Sequence, residues 1–200
     1  MNLKKLLLFQ ILLFGSIAVW GQQGMSLTEF NQNRLQKQQT AMTILGTWAI
    51  GNMALSGILA GKRSGSDKYF HQMNIGWNVV NLSLAGAGLY SALHADPGSF
   101  DLFQTITQQH RFQKILLFKA GLDLGYMAGG AYLMERSRRE TGKRADQFLG
   151  FGQSILLQGA FLFVFDLSTY LVMASNNEEM QHLLSGLRFS GTQFSFCLTF

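Results

Sequence analysis

The sequence has little charge, one proline and one cysteine. Only 14% of its 200 residues are charged, and Pro97 and Cys197 are the single members of their types. A single cysteine excludes an intramolecular disulfide, and no cysteine-rich metal motif is present. The scarcity of charge and proline, together with 22 glycines, is typical of helices packed in lipid, where small residues let backbones approach closely.

Catalytic and nucleotide-binding motifs are also missing. The chain contains no nucleophile elbow, P-loop, Rossmann fingerprint or H-E-x-x-H sequence. The formal net charge is +5, but the positive residues cluster in two short loops, which argues against nucleic-acid binding and indicates membrane orientation. The sequence therefore predicts no reaction, and it favours a protein that is not an enzyme.

Residues 1–21 match a secretory signal peptide. Lys4 and Lys5 precede a long apolar run, and Val19 and Gly21 are small enough for cleavage after residue 21. The alternative is a first membrane helix that is not cleaved. Both interpretations place the following residues outside the cytoplasm, so the rest of the topology does not depend on the choice.

Four further segments are long and apolar enough to cross a bilayer, whose core of about 30 Å requires about 20 helical residues. The predicted spans are residues 40–60, 69–93, 113–134 and 148–174. The alternative is a soluble helical bundle, but apolar runs in the second and fourth spans have no polar face and would expose too much apolar surface to water. We therefore expect residues 22–186 to form an all-α, four-helix transmembrane bundle.

Loop charge predicts the orientation of this bundle. The loops after the first and third spans hold eight of the 16 lysines and arginines, whereas the connection after the second span, near Pro97, holds none. The positive-inside rule places the basic loops in the cytoplasm. We expect a multi-pass protein of the bacterial inner membrane, with the mature N-terminus and the C-terminus in the periplasm.

The helices are predicted to extend beyond the membrane on the periplasmic side. Ser26 and Glu29 match a capping box that begins the first helix well before its span, and Ser99 is the predicted N-cap before the third span. These two extensions are expected to pack together. After the fourth span, the run Asn176-Asn177-Glu178-Glu179 is expected to return the chain to water, and Gly186 to end the helix. In the tail, residues 187–200, apolar and polar residues alternate, which predicts a short β-like segment.

Polar residues inside the spans form the candidate functional site, because ionisable side chains in lipid are costly and usually face a partner in the bundle interior. Depth along the helices predicts that Lys119 pairs with Asp123 or Asp166. It also places Asn52 and Asn78 at a similar depth, in an amide layer closer to the cytoplasm. We call the predicted set the polar seam; it consists of Asn52, His71, Asn74, Asn78, Asn81, Lys119, Asp123, Gln158 and Asp166.

Three interpretations of the polar seam are open. Hydrogen bonds between asparagine and glutamine side chains contribute about 0.6–2 kcal/mol each to helix association, so the seam can serve to fix the packing. Intramembrane acids and lysines also mark ion routes and proton relays, which would indicate a small transporter or channel subunit. A bound ligand is the third interpretation. For the protein as a whole we expect a structural or interaction role, with a small transporter or channel subunit as the alternative and a membrane enzyme acting on lipid as the third possibility.

The histidines form no metal motif. A zinc site from His94, His110 and His182 would require these periplasmic side chains to converge, but their spacing is not that of a metal-binding sequence. A haem would need axial ligands that face each other, and His71 has no histidine at its depth. We therefore expect neither a metal nor another cofactor.

Glycines predict close helix packing. Gly121, Gly125 and Gly129 form a G-x-x-x-G ladder in the third span. The ladder serves either the packing of the four-helix unit or a contact with a second copy or another membrane protein. Together with the lipid bilayer, these are the expected partners.

Two segments resemble a known family. Trp48-Ala49-Ile50-Gly51-Asn52 and the run from Tyr69 to Asn81, Y-F-H-Q-M-N-x-x-W-N-x-V-N, resemble a family of small integral membrane proteins, mostly from Bacteroidota, that has no assigned activity. The resemblance covers about the first two spans. It implies a bacterial membrane protein and supplies no catalytic residues.

Overall fold

The computed structural model describes residues 25–185, 187–190 and 193–196. Its elements are four long helices, α1 (Leu27–Ala60), α2 (Gly65–His94), α3 (Leu102–Ser137) and α4 (Gly142–Ala174), then a short helix α5 (Asn176–Ser185) and two strands, β1 (Leu187–Ser190) and β2 (Gln193–Phe196). The strands pair antiparallel. The predicted all-α, four-helix fold is confirmed, whereas the predicted signal segment lies outside the described residues.

The long helices pack side by side in the order α1, α2, α4 and α3. The two basic loops lie at the same end of the bundle, since the carboxylate of Asp146 lies against Gly65. At the opposite end, Asn31 Nδ2 on α1 donates a hydrogen bond to Thr105 Oγ1 on α3 at 2.9 Å. This contact confirms the predicted packing of the two helix extensions.

Helix α1 begins as predicted, and the run that follows α4 is only partly exposed. Ser26 Oγ accepts a hydrogen bond from the backbone N–H of Glu29 at 3.1 Å, as expected for an N-cap. In the run from Asn176 to Glu179, Glu178 is exposed as predicted, while Gly186 lies outside the described residues. The prediction is wrong for Asn176, whose side chain is fully buried and whose Oδ1 accepts a hydrogen bond from Lys37 Nζ. Lys37 takes the place of water as the polar partner, and the chain continues into α5.

The predicted N-cap at Ser99 is also wrong. Pro97–Ser99 forms one turn of 3-10 helix, and Asp101 caps α3 through reciprocal hydrogen bonds with Gln104. The reason lies in the residue three positions after each candidate N-cap. Leu102 follows Ser99 at that spacing and cannot return a hydrogen bond, whereas Gln104 completes a capping box with Asp101.

Two helical segments, Leu27–Ala60 and Gly142–Gln181, are long and apolar enough to cross a membrane by length and composition. Helices α2 and α3 are long enough, but their mean hydropathy is too low to meet the same criterion. The reason is that asparagines in α2, and Lys119 and Asp123 in α3, lower the mean hydropathy of these helices.

Polar side chains lie inside the bundle and apolar side chains cover its outside. The buried polar residues include Asn31, Arg34, Ser56, Asn74, Asn78, Asn81, Gln109, Asp123, Gln158 and Asp166. Large exposed apolar residues occur on every long helix, among them Ile44 and Ile58 on α1, Val80 and Leu84 on α2, Phe118 and Leu124 on α3, and Val164 and Leu171 on α4. This distribution is the reverse of that in most water-soluble proteins.

Glycines let α3 and α4 approach closely, but not the glycines that the sequence singled out. A Cβ atom on Gly152 would lie 2.6 Å from the carbonyl oxygen of Gly130, so no side chain fits there. A Cβ atom on Gly121, Gly125 or Gly129 would meet nothing within 4 Å among the described residues. The ladder therefore does not pack within the four-helix unit, and that alternative is wrong.

We expect Gly152→Ala to lower the free energy of unfolding by about 1–3 kcal/mol relative to Gly86→Ala, because the added methyl group overpacks the contact between α3 and α4. Both changes bring the same gain in helix propensity, so Gly86→Ala, on α2 and with no described atom within 4 Å of an added Cβ, is a matched control at an open position. Thermal unfolding in detergent, followed by circular dichroism, measures the difference. Equal stability of the two variants would contradict the close approach of the helices.

Candidate functional site

Gln158 on α4 is the centre of a buried hydrogen-bond network. Its Oε1 accepts hydrogen bonds from Trp48 Nε1 on α1 at 3.1 Å and from Asn81 Nδ2 on α2 at 3.4 Å. Its Nε2 donates a hydrogen bond to Asn74 Oδ1 on α2. Gln158 is fully buried, so one side chain without access to water joins three helices.

Trp48 is held in place by an aromatic contact as well as by its hydrogen bond. Its ring stacks on that of Phe161, with centroids 3.8 Å apart and planes 6° from parallel. Because Phe161 and Gln158 are three residues apart on α4, they lie on one face of that helix. The indole therefore contacts α4 through both its ring face and its N–H group.

Asn74 extends the network to a second position on α1. Its Nδ2 donates hydrogen bonds to Asn52 Oδ1 at 3.0 Å and to Ser56 Oγ at 2.8 Å. His71 Nδ1 lies 3.2 Å from the same Ser56 Oγ. The sequence places Asn52 level with Asn78, but its partner is Asn74, one turn closer to the basic loops. Asn78 instead donates to the backbone oxygen of Asn74 at 2.8 Å within α2.

A second part of the polar seam is ionic. Lys119 Nζ on α3 lies 3.0 Å from Asp166 Oδ1 on α4, and the side chains of these residues are 28% and 0% exposed. Asp123, one turn along α3, faces the Asp166 carboxyl group. Of the two acids that the sequence offers to Lys119, Asp166 is therefore the one that forms the ion pair.

The ionic part is not saturated with hydrogen bonds. Asp123 Oδ2 and Asp166 Oδ2 are buried and have no donor among the described residues. Lys119 therefore binds Asp166 Oδ1, while Oδ2 of each of the two carboxyl groups has no hydrogen-bond partner in the described part of the chain. Intramembrane carboxyl groups that face the bundle interior mark ion routes and proton relays in membrane proteins.

The apolar core separates the two parts of the polar seam. Gln158 and Asp166 lie two turns apart on α4, which corresponds to about 12 Å. Leu162 and Phe165 fall between them and belong to the core cluster that also contains Leu45 of α1. Within the described part of the chain, no hydrogen bond joins the amide network to the ionic part. The polar seam is therefore two clusters rather than one continuous row.

Polar residues of α3 that the sequence analysis missed form a third buried cluster. Gln109 Nε2 and Gln113 Nε2 donate hydrogen bonds to the backbone oxygen of Met173 at 2.6 and 3.1 Å, and Gln113 also donates to Asn177 Oδ1 at 2.8 Å. These bonds satisfy carbonyl groups where α4 ends. The signal was present in the sequence, since Thr105, Gln109 and Gln113 recur at every fourth position on one face of α3.

Arg34 was also missed. It lies on α1, is only 4% exposed and stands three residues after Asn31, whose Oδ1 it contacts. No sequence pattern distinguishes it from an arginine on a solvated helix extension. Its burial follows only from the packing of α1 against the 3-10 turn and α3.

The histidines do not gather into a metal site in the described part of the chain. No group of three or more histidine, cysteine, aspartate or glutamate side chains is arranged there to hold a metal ion. His94 Nδ1 lies 2.9 Å from the backbone oxygen of Tyr90. The zinc alternative also includes His182, whose side chain lies outside the described residues.

We expect Gln158→Leu to lower the free energy of unfolding by about 1–3 kcal/mol, because Trp48 Nε1 would lose its acceptor and Asn74 Oδ1 would keep only the 3.4 Å hydrogen bond from Asn78 Nδ2. Gln153→Leu makes the same change at a half-buried position of α4 that takes no part in the network. Denaturant titration in detergent compares the two variants. A Gln158→Leu protein as stable as the control would show that the amide network does not hold the helices together.

The ion pair can be tested by exchanging its charges. Lys119→Asp and Asp166→Lys each leave like charges together in the interior, and we expect each to cost about 3–5 kcal/mol. The double exchange restores opposite charges and is expected to recover most of the folded yield, measured by size-exclusion chromatography. Exchanging the exposed pair Glu135 and Arg138 should have little effect. Equal tolerance of both single variants and the double variant would refute the pairing.

One family model matches the chain, over residues 44–167. This range contains both segments of the resemblance and every residue of the polar seam, while Arg34 precedes it. No curated protein and no solved structure matches the chain. The family is described as one of unknown function, so the match shows membership and assigns no activity. The chain belongs to this family of unknown function, DUF6992.

Proposed function

We propose that the chain is a four-span membrane protein that acts through structure and interaction, and that the polar seam holds its helices in register. The observation that carries this proposal is the polar interior beneath an apolar exterior on all four long helices. Exposed apolar faces of this extent are costly in water and favourable in lipid. Their presence on α2 and α3 supports membrane spans there, although polar residues lower the mean hydropathy of these helices.

The orientation follows from loop charge. Both basic loops lie at one end of the bundle, where Asp146 contacts Gly65. The positive-inside rule assigns that end to the cytoplasm. The opposite end, where Asn31 meets Thr105, then faces the periplasm of a bacterial inner membrane.

The hydrogen bonding of the amide network supports a structural role for the polar seam. Asn78 and Gln158 are fully buried, and each takes part in hydrogen bonds with neighbouring side chains. In lipid such bonds stabilise helix contacts and specify which helices meet. A transport pathway would need a continuous polar route, and the apolar core interrupts it between Gln158 and Asp166.

A second candidate function is proton binding at the ionic cluster. It is favoured by the buried oxygens Asp123 Oδ2 and Asp166 Oδ2, which have no donor in the described part of the chain. A proton on one of the two carboxyl groups would turn it into a hydrogen-bond donor toward the other. If the ionic cluster transfers protons and does not only pack helices, we expect proton flux into liposomes to depend on Asp123. If packing is the role, the charge exchange between Lys119 and Asp166 should instead restore the folded protein.

The exposed glycine ladder is the proposed face for a second copy or another membrane protein. Gly121, Gly125 and Gly129 leave a smooth strip on α3 that no described residue covers. Strips of this kind allow close contact between helices in lipid. Native mass spectrometry of the detergent-purified chain reports whether a second copy occupies it.

Cysteine labelling in cells tests the proposed topology. In a Cys197→Ser background, we expect Ser99→Cys to react with a membrane-impermeant maleimide from the periplasm and Ser66→Cys to react only after the membrane is permeabilised. Val80→Cys lies on the exposed apolar face of α2 and should stay unlabelled in both cases, because lipid excludes the reagent. Rapid labelling of Val80→Cys would contradict a membrane span in α2.

A further inference from the structure

A cleft of about 450 Å³ opens at the end of the bundle opposite the basic loops. It lies between α1, α2, α3 and the 3-10 turn. Its polar lining consists of Arg34, Gln38, Ser91, Gln108 and Arg111. No acidic side chain is among the described residues that line it, so the cleft offers two positive charges and several neutral hydrogen-bonding groups.

Arg34 is a buried cation without an anion beside it. Its Nε and Nη2 donate to the neutral Asn31 Oδ1 at 3.4 and 3.2 Å, and its guanidinium lies 5.2 Å from the centroid of the Phe100 ring. Burial lowers the pKa of the Arg34 guanidinium from its usual range. Among the described residues no carboxylate pairs with it, and Nη1 has no acceptor. A buried charge in this state is costly until an anion arrives.

An apolar groove continues from the cleft along α3. This groove, about 560 Å³ in volume, shares Arg111 and Ile115 with the cleft. Its character changes along the helix: His110 and Lys114 line the part near the cleft, and Phe118, which is 68% exposed, lines the far part. The two hollows together present a basic head and an apolar track.

The depth of this surface matches the lipid headgroups, if α3 spans the membrane as proposed above. Arg111 lies two residues before the third predicted span, at the boundary between headgroups and hydrocarbon. Phe118 lies about 10 Å further along the helix, within the hydrocarbon. An amphipathic molecule that stands in the bilayer would therefore meet the basic part with its head and the apolar part with its chains.

We propose that this cleft binds the phosphate group of an anionic phospholipid, with Arg34 and Arg111 as its ligands. The acyl chains lie along Ile115 and Phe118. Guanidinium groups present paired donors that match phosphate oxygens, and basic pockets between membrane helices are established sites for anionic headgroups. This inference rests on the proposed membrane placement, because the groove is open to lipid only there.

Native mass spectrometry of the full chain tests the proposal. The detergent-purified protein is titrated with phosphatidylglycerol or with phosphatidylcholine that carries the same acyl chains. We expect one phosphatidylglycerol to bind about tenfold more tightly than phosphatidylcholine, because both lipids carry the phosphate but the choline ammonium group of the latter brings a positive charge close to Arg34 and Arg111. Equal binding of the two lipids would overturn the proposal.

Variants separate the site from general attraction to charge. Arg111→Gln changes an exposed residue and is expected to remove the preference for phosphatidylglycerol. Arg138→Gln removes the same charge from an exposed residue at the other end of the bundle and should keep the preference. Arg34→Gln carries a risk of misfolding, so Arg34→Lys, which keeps the charge, is made beside it and should retain part of the preference. Loss of the preference in Arg138→Gln would contradict the assigned site.

Inorganic phosphate distinguishes a lipid from a soluble ligand. If phosphate at the concentration of the lipid displaces phosphatidylglycerol, the ligand is a soluble anion and the lipid assignment is wrong. The cysteine labelling above keeps this failure apart from that of the proposed function. If labelling shows the proposed topology but the protein has no lipid preference, only the assignment of the cleft is refuted. Labelling of Val80→Cys would refute the membrane placement on which that assignment depends.

Discussion

The side chain of Gln158 is the constraint on which the helix arrangement depends. It sits where no water reaches, and an unpaired amide there costs far more than a hydrogen bond contributes. Its partners come from two other helices, Trp48 on α1 and the asparagines of α2. A rotation or slide of any one helix would leave polar atoms unpaired, so the network allows one register where apolar packing alone would allow several.

The close approach of the helix backbones brings the side chains of this network within hydrogen-bonding distance. Gly150 and Gly152 on α4 have no side chains, and the first faces the backbone of α2 while the second faces that of α3. Only at such short spacing do short side chains such as Asn74 bridge the gap between helices. Small residues and buried amides are therefore two parts of one packing solution, as is common for helices in lipid.

Polarity changes along the bundle axis in a way that bears on function. The amide network lies toward the basic loops, the apolar core follows it, and the ionic cluster and the Arg34 cleft lie toward the other end. Of the three polar regions, only the amide network is saturated with hydrogen-bond partners among the described residues. Unsatisfied charge is concentrated where Asp123, Asp166 and Arg34 lie, so interactions with protons, ions or headgroups are expected there.

The sequence by itself determined the four helices, their approximate ends and the polar face of α2, because hydrophobic runs, capping residues and the helical period act within a few residues of one another. It also determined that Lys119 needs an acidic partner. Only the tertiary structure decided that this partner is Asp166, that Asn52 meets Asn74, that Gly152 is packed while Gly125 is open, and that Arg34 is buried. Each of these depends on the rotation and height of one helix against another, which no local pattern specifies.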